Sequence, residues 1–421
     1  MESPFIISIP EMSISLLRQK LDLVRFPDEL DDAGWLYGAP LNDVKRLVNR
    51  WKDGYNWKAH EKSLNDELPQ FIREIEVDGF GSLSIHYVHK RSEITENAIP
   101  LLFVHGWPGS FVEARKILPL LTTGTPSFHV VAVGLPGYGF SEGSNKKGFS
   151  IAQYAEARHE FIVDETETQV GHKLMLALGY NEYANMFESD TRRGLGLYRR
   201  HPSAKCMRID STSTQITRAI AATYGPTHVK AWHTNLQFGQ KPETDPPEGY
   251  TDAEKAGIER SKWFEEKGSG YFAEQSTQPQ TLGYSLSDSP VGLLAWIYEK
   301  LVNWTDSYPW EDDEILTWVS IYWFSRSGPA ASIRIYYEYM QNRAETRTDA
   351  VVPLGNSYFP KDLWVPPRSW INEKNLVFES RHDSGGHFAA HEKPDELVDD
   401  LRKMFGRNGP AFGVVAGKDG Y

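Results

Sequence analysis

Two histidines sit among glycines toward opposite ends of this 421-residue chain, His105 in His105-Gly106-Trp107-Pro108-Gly109-Ser110 and His387 in Gly385-Gly386-His387-Phe388. Glycine and proline in the first segment let backbone N–H groups face open space instead of pairing in a ladder, which suits them to hold a developing oxyanion, with Trp107 and Pro108 at the turn. In the second, flanking glycines leave an imidazole room to reach a reacting atom. Asp362, in Tyr358-Phe359-Pro360-Lys361-Asp362-Leu363, is a carboxylate able to orient that imidazole and stabilise its charged form. Turn, acid and histidine, in that order, suit hydrolysis through a covalent intermediate whose nucleophile belongs between turn and acid. Each piece also has a bland reading: a tight strand-to-helix turn, a helix N-terminal acid after Pro360, a structural histidine.

Such groups need a frame. With 40 % hydrophobic and 24 % charged residues the composition is that of a globular protein with one large core and an accessory layer. The formal net charge of -12 argues against nucleic acid or an anionic membrane as partner and favours a small uncharged ligand. Cys206 stands alone, so no disulfide framework forms, and no Cys/His spacing suggests a metal; no cofactor is expected. The stretch 1–10 has no basic leader pattern and no window approaches the ~18 apolar residues of a membrane span, so a soluble, cytoplasmic protein is expected.

Along the chain, residues 12–70 read as helical, with Val44, Leu47, Val48 and Trp51 on one face. Residues 71–78 and 83–89 alternate at period two around Gly79 and Gly81 and read as an antiparallel pair. Residues 100–104 and 128–133 are continuous apolar runs of strand length with a helix between them, the pattern of buried parallel strands. A polar, acid-rich stretch at 157–169 looks inserted into the next helix. The Pro-, Trp- and Tyr-rich portion that follows is largely helical, with 291–302 and 314–324 its strongest apolar segments; strands at 351–354 and 375–378 and an amphipathic helix at 395–405 complete the pattern. The expected fold is an α/β, doubly wound, mostly parallel sheet with a helical cap and an N-terminal helical meander. Its divisions are 1–95 (meander and first strands), 96–234 (core, first part), 235–345 (cap), 346–405 (core, second part) and 406–421 (a mobile tail).

The order of turn, acid and histidine is that of the α/β-hydrolases, and further segments make the likeness specific. Ile9-Pro10, Trp35, Trp51 and Trp57, the His-Gly-Trp-Pro-Gly-Ser turn, Gly134-Leu135-Pro136-Gly137-Tyr138-Gly139-Phe140-Ser141, Asp288-Ser289-Pro290-Val291-Gly292-Leu293, Phe359-Pro360-Lys361-Asp362-Leu363 and Gly-Gly-His-Phe-Ala-Ala together resemble the microsomal-type epoxide hydrolases. The resemblance implies a small apolar epoxide as substrate, two-step hydrolysis to a diol, and a role in detoxification or aromatic hydrocarbon catabolism. It leaves a homodimer as the assembly to be expected, if the chain assembles at all. In that chemistry an elbow aspartate attacks an oxirane carbon, two cap tyrosines donate hydrogen bonds to the leaving oxygen, and histidine activates the water that cleaves the ester. By motif position the tyrosines are Tyr271, in Gly270-Tyr271-Phe272, and Tyr336, in Arg334-Ile335-Tyr336-Tyr337-Glu338, with Tyr337 competing for the second assignment.

The elbow itself departs from the family pattern. Gly-Gly-Asp-Trp-Gly is required between Tyr183 and Gln215, but the chain reads Glu188-Ser189-Asp190-Thr191-Arg192-Arg193-Gly194-Leu195-Gly196-Leu197-Tyr198 and then a basic, Ser/Thr-rich run. An elbow is a strained turn whose nucleophile needs small neighbours. Asp210 has nearly the right spacing from Ile216 but lies between Arg208-Ile209 and Ser211-Thr212. The genetic code offers a sharper reading: Thr191 to Tyr198 can be encoded ACA AGG CGG GGA CTG GGG CTC TAC, which from its second base reads Gln-Gly-Gly-Asp-Trp-Gly-Ser. On that reading the nucleophile's codon straddles Gly194 and Leu195, and retained intron sequence also accounts for the insert at 157–169. Two rival expectations follow: a catalytically inactive relative that binds small hydrophobic ligands, and a serine esterase using Ser141 of Gly139-Phe140-Ser141-Glu142-Gly143, which matches Gly-x-Ser-x-Gly but lacks a strand-to-helix elbow.

Overall fold

A computed structural model describes residues 2–155, 170–187, 212–236, 239–342 and 350–421. The insert at 157–169, the segment around Gly194 and Leu195, and Asp210 lie outside the described residues. Nine strands are assigned: β1 (Ser3–Pro4), β2 (Gln70–Val77), β3 (Gly81–Lys90), β4 (Ile99–Val104), β5 (Phe128–Val133), β6 (Tyr183–Phe187), β7 (Val229–Thr234), β8 (Leu354–Tyr358) and β9 (Leu376–Arg381). They form one sheet in the order β1-β2-β3-β5-β4-β6-β7-β8-β9. Neighbours from β5 through β9 pair in parallel, while β3 runs antiparallel to β5, β2 to β3 and β1 to β2. This is the expected α/β-hydrolase sheet.

The sequence explains the order of layers. Every residue of β4 and β5 is buried, as unbroken apolar runs must be when helices cover both faces of a sheet. The β2–β3 hairpin turns at Gly79 and Gly81, whose φ values of 75° and 84° favour glycine. After β4 the chain moves to β5 on one side and later to β6 on the other, so the carboxyl end of β4 is a topological switch point, where open α/β sheets bind ligands.

The chain between β7 and β8 is helical: Asp252–Trp263, Gly270–Thr277, Pro279–Asp288, Pro290–Asn303, Asp312–Trp323 and Arg334–Gln341. Helices Glu11–Asp22, Leu41–Asp53 and Trp57–Glu67 of the N-terminal segment strap this layer. Arg50 makes a two-pronged contact with Asp313 at 2.7 and 2.8 Å, Lys20 pairs with Asp288 at 2.6 Å, Arg46 pairs with Asp312, and the buried Tyr55 hydroxyl meets Thr317 at 3.0 Å. Exposed ion pairs of this kind contribute little singly, so the apolar faces under them, Leu17, Leu21, Leu47, Val48 and Trp51, carry the adhesion.

Two expectations are corrected. The strand read at 351–354 begins at Leu354 instead of ending there. Proline cannot donate to a ladder between two neighbours, so Pro353 stands just outside and only accepts, its carbonyl taking Trp232 N–H at 2.9 Å. The tail at 406–421, expected to be mobile, packs on the body: Ala411 and Val415 are buried, Gly420 N–H donates to Asn97 O and Gly420 O accepts from Ser127 N–H, both at 2.9 Å. It lacks periodicity because its backbone bonds are isolated turns, such as Phe412 N–H to Gly409 O and Lys418 N–H to Val415 O, and contacts with neighbouring loops. Among the described residues no helix is long and apolar enough to cross a membrane.

Removing residues 410–421 should therefore destabilise the whole chain by about 2 kcal/mol, the contribution of two buried apolar side chains and their hydrogen bonds. Urea unfolding of the truncated protein checks this, and an unchanged midpoint would show that the tail only rests on the surface.

Candidate active site

The segments that leave β4, β7, β8 and β9 converge at one edge of the sheet. Lys361, just past β8, bridges Gly386, past β9, with Lys361 N–H donating to Gly385 O at 3.0 Å. This brings together two residues that the chain separates: His387 Nδ1 donates to Asp362 Oδ1 at 2.8 Å, with the two residues 3 % and 1 % exposed. The same carboxylate oxygen accepts Leu363 N–H at 2.7 Å, and Asn235, just past β7, donates to His387 O at 3.1 Å and lies 3.5 Å from Asp362 Oδ2. With Nδ1 held by the acid, the imidazole's remaining nitrogen is the one available for proton transfer.

The loop bearing His387 is fixed from three sides. His387 N–H donates to Trp304 O at 2.7 Å, Gly385 N–H to Asp306 Oδ2 at 3.0 Å and Gly386 N–H to Glu392 Oε1 at 2.8 Å, while Glu392 Oε2 accepts Asp306 N–H at 3.0 Å. Gly386 is required by space, since a Cβ there would stand 2.4 Å from the Trp304 carbonyl. Arg260, from the helix Asp252–Trp263, donates to Asp362 O and Lys361 O at 3.0 Å each, and so clamps the acid's loop. Burial pushes the Glu392 carboxyl up to about 7, with Asp362 and Asp306 adding like-charge repulsion and the two N–H bonds opposing.

The turn after β4 is also over-determined. His105 is wholly buried, which pulls its pKa down to about 4; Leu135 N–H donates to its Nε2 at 3.2 Å, so the ring proton sits on Nδ1 and faces Gly106 O at 3.1 Å. The first histidine is thus a structural brace. The carbonyls of Pro108 and Gly109 are occupied by Trp318 Nε1 and Tyr322 OH, both at 2.6 Å, from the helix Asp312–Trp323. Ser110 and Glu113 close a capping box that ends the turn.

Aromatic rings line the space above. Trp107 is buried and stacks on Tyr271 with centroids 5.2 Å apart, and Tyr336 meets Tyr271 and Trp107 edge-on at 5.8 and 6.0 Å. Trp304 touches Tyr271 at 5.1 Å and His387 at 5.0 Å, joining the tyrosines to the imidazole. Tyr336 is fully buried and Tyr337 38 % exposed, so the ring turned into the cluster is that of Tyr336. Burial, and then Tyr271 through charge and a hydrogen bond, holds the Tyr336 phenol well above its ordinary pKa, so that hydroxyl stays a protonated donor.

Ser141 is wholly buried; its Oγ donates to Gly134 O at 2.7 Å and accepts His86 N–H at 2.9 Å. It braces a loop. Asn235, Arg260, Trp304, Asp306 and Glu392 went unnoticed in the sequence, because each acts on a loop distant in the chain and carries no local motif. Among the described residues no group of three or more His, Cys, Asp or Glu side chains could hold a metal ion.

Comparison with known proteins agrees with this geometry. A family model described as epoxide hydrolase N terminus matches residues 2–114, and one described as alpha/beta hydrolase fold matches 99–184. The chain is 31 % identical to epoxide hydrolase 1 of Sus scrofa, over 96 % of this chain and 88 % of that protein, and 30 % identical to juvenile hormone epoxide hydrolase 2 of Ctenocephalides felis, over 94 % and 84 %. Among solved structures, the Aspergillus niger epoxide hydrolase superposes with a TM-score of 0.77 at 34 % identity, covering 95 % of both chains. The juvenile hormone epoxide hydrolase of Bombyx mori gives a TM-score of 0.74 at 26 % identity, covering 96 % of this chain and 93 % of that one.

The Glu392 carboxyl gives a pH test. Its folded pKa of about 7 lies above the ordinary 4.5, so between those values the folded chain keeps a proton that the unfolded chain has released. Its contribution to stability is complete below the lower value and is lost as pH rises toward the upper one. Glu392→Gln cannot titrate, so the urea stability of that variant relative to the parent should improve by roughly 1 to 3 kcal/mol across this window. Parallel pH curves would rule the buried proton out.

Proposed function

The chain belongs to the epoxide hydrolase family of the α/β-hydrolases, and on that premise we propose that its site converts an apolar epoxide to a vicinal diol through an aspartyl ester. The observation that carries this reading is the meeting of a buried His387–Asp362 pair with the Tyr271–Tyr336 pair around Trp304. Tyrosine hydroxyls and an apolar, aromatic surround suit a neutral three-membered ether better than a charged or peptide substrate. In the first step a carboxylate attacks one oxirane carbon, the carbon–oxygen bond breaks, and the oxygen takes its proton from a tyrosine. In the second, water loses a proton to His387, held by Asp362, and attacks the ester carbonyl, whose oxyanion faces the Trp107-Pro108 turn. The ester carbon–oxygen bond breaks, the departing alkoxide takes the proton of the new carboxyl O–H so that the carboxylate is restored, the diol leaves, and the imidazolium proton restores the phenol.

The nucleophile belongs at the carboxyl end of β6. Phe187, the last residue of β6, is in register with Val104 of β4 and Thr234 of β7, so the chain leaves β6 between the oxyanion turn and Asn235. The helix Thr212–Tyr224 then packs back on β6 and β7, as a helix following an elbow must. Residues 188–211 contain no aspartate with a glycine beside it, and Gln-Gly-Gly-Asp-Trp-Gly-Ser read out of frame through Gly194 and Leu195 supplies one. The elbow's departure from the family pattern leaves one alternative, a site that binds small hydrophobic ligands without turnover.

Sequencing the spliced message separates the two: a message that encodes Arg193-Gly194-Leu195 in frame, with no alternative form, removes the frame reading. With the elbow restored, styrene oxide should give diol, Tyr271→Phe and Tyr336→Phe should each slow ring opening by roughly 10²- to 10³-fold, and His387→Gln should accumulate a protein adduct of epoxide mass. Normal turnover by the His387→Gln protein would overturn the mechanism, and diol formation by the chain as written would overturn the need for a restored elbow.

A further inference from the structure

Lysine is almost never buried without a reason, and Lys300 is 3 % exposed. It stands on the helix Pro290–Asn303, one turn before Trp304, with its Nζ 5.2 Å from the centroid of the Tyr271 ring and 5.2 Å from that of Trp296. Its carboxylate partner is Glu299, which also accepts from Asn303 Nδ2 at 3.1 Å. Trp296 is itself tied to the Tyr271 helix, donating its indole N–H to Gln275 at 3.0 Å. The ammonium is therefore held over a phenol face, where a flexible four-carbon stem could have carried it to water. Among the described residues no cation stands over the ring of Tyr336.

We propose that Lys300 is a positioning residue that makes Tyr271, rather than Tyr336, the stronger hydrogen-bond donor to the substrate oxygen. A positive charge over an aromatic face draws electron density from the ring and stabilises negative charge on the phenol oxygen as its proton shifts toward an acceptor. Low dielectric strengthens the effect, because few waters can screen it. Lys300 touches no substrate; it works through Tyr271. The two tyrosines are then unequal, with Tyr336 orienting the oxygen and Tyr271 carrying most of the proton donation. A cleft of about 500 Å³ is lined in part by Gly270, Tyr271, Glu274, Trp296, Glu299 and Lys300.

The inference rests on the proposed role of the tyrosine pair, and its test must separate the two. Para-substituted N-ethylbenzamides present an unreactive carbonyl whose basicity varies while its shape changes little, and their binding needs no nucleophile, so the full chain serves as it stands. Calorimetric titration should show affinity rising with carbonyl basicity. Lys300→Met, which keeps the apolar stem, should weaken the strongest acceptor by roughly 3- to 30-fold and flatten the dependence on basicity. Lys300→Arg should restore it, and in Lys300→Ala methylammonium admitted through the cleft should restore it in part. In a Tyr271→Phe background Lys300→Met should have no further effect. An equal loss for all benzamides, or the same loss in the Tyr271→Phe background, means that Lys300 only packs and overturns the proposal. Benzamides that fail to bind, or that bind equally well after both Tyr271→Phe and Tyr336→Phe, overturn the reading of the tyrosine pair itself.

Discussion

A carboxylate and an imidazole, both almost wholly out of water, share one hydrogen bond at the edge of the sheet. Burying Asp362 costs several kcal/mol unless its oxygens are satisfied, and the surrounding structure supplies what that requires. His387 and Leu363 bond one oxygen, Asn235 approaches the other, and Arg260 brings a positive charge to the carbonyl behind it. Because these partners come from four separate stretches of chain, the pair forms only when the sheet, the loops and the first cap helix are all in place.

The cap is bound into this arrangement through Trp304. Its carbonyl accepts from His387 N–H, while its ring lies against both His387 and Tyr271. Moving the end of the helix Pro290–Asn303 would therefore displace the His387 imidazole and the Tyr271 phenol together. On the opposite side, the helix Asp312–Trp323 uses Trp318 and Tyr322 to take up the Pro108 and Gly109 carbonyls of the turn after β4, and its outer face is gripped by the N-terminal helices. The meander thus braces the cap from outside while the cap braces the turn from above, so a remote ion pair such as Arg50–Asp313 is linked to the site by packed helices alone.

Much of this was legible before any coordinates. The apolar runs of β4 and β5, the Gly79 and Gly81 hairpin, the two glycine-rich loops and the amphipathic helix before Phe405 were each marked by local composition. Strand β8 was not, because Leu354-Gly355-Asn356-Ser357-Tyr358 is polar in sequence yet buried, with the Ser357 hydroxyl answered by His233 and Asp400 from distant stretches of chain. The tail was misread for the converse reason: glycine and a lack of period describe chain that makes no secondary structure of its own, not chain that makes no contacts.

Residue types and their order determined the lineage and singled out Asp362, His387, Tyr271 and Tyr336 as candidates, since these depend on chemistry carried by each side chain and on turns that only glycine and proline make. Tertiary structure alone decided that His105 is a brace, that Ser141 is buried in backbone bonds, and that Tyr336 rather than Tyr337 faces Tyr271. It also decided which residues hold the His387 loop: Glu392, Asp306, Trp304 and Asn235. The reason is that hydrogen bonding and desolvation act between atoms a few ångströms apart, and a linear sequence records none of those distances for residues far apart along the chain.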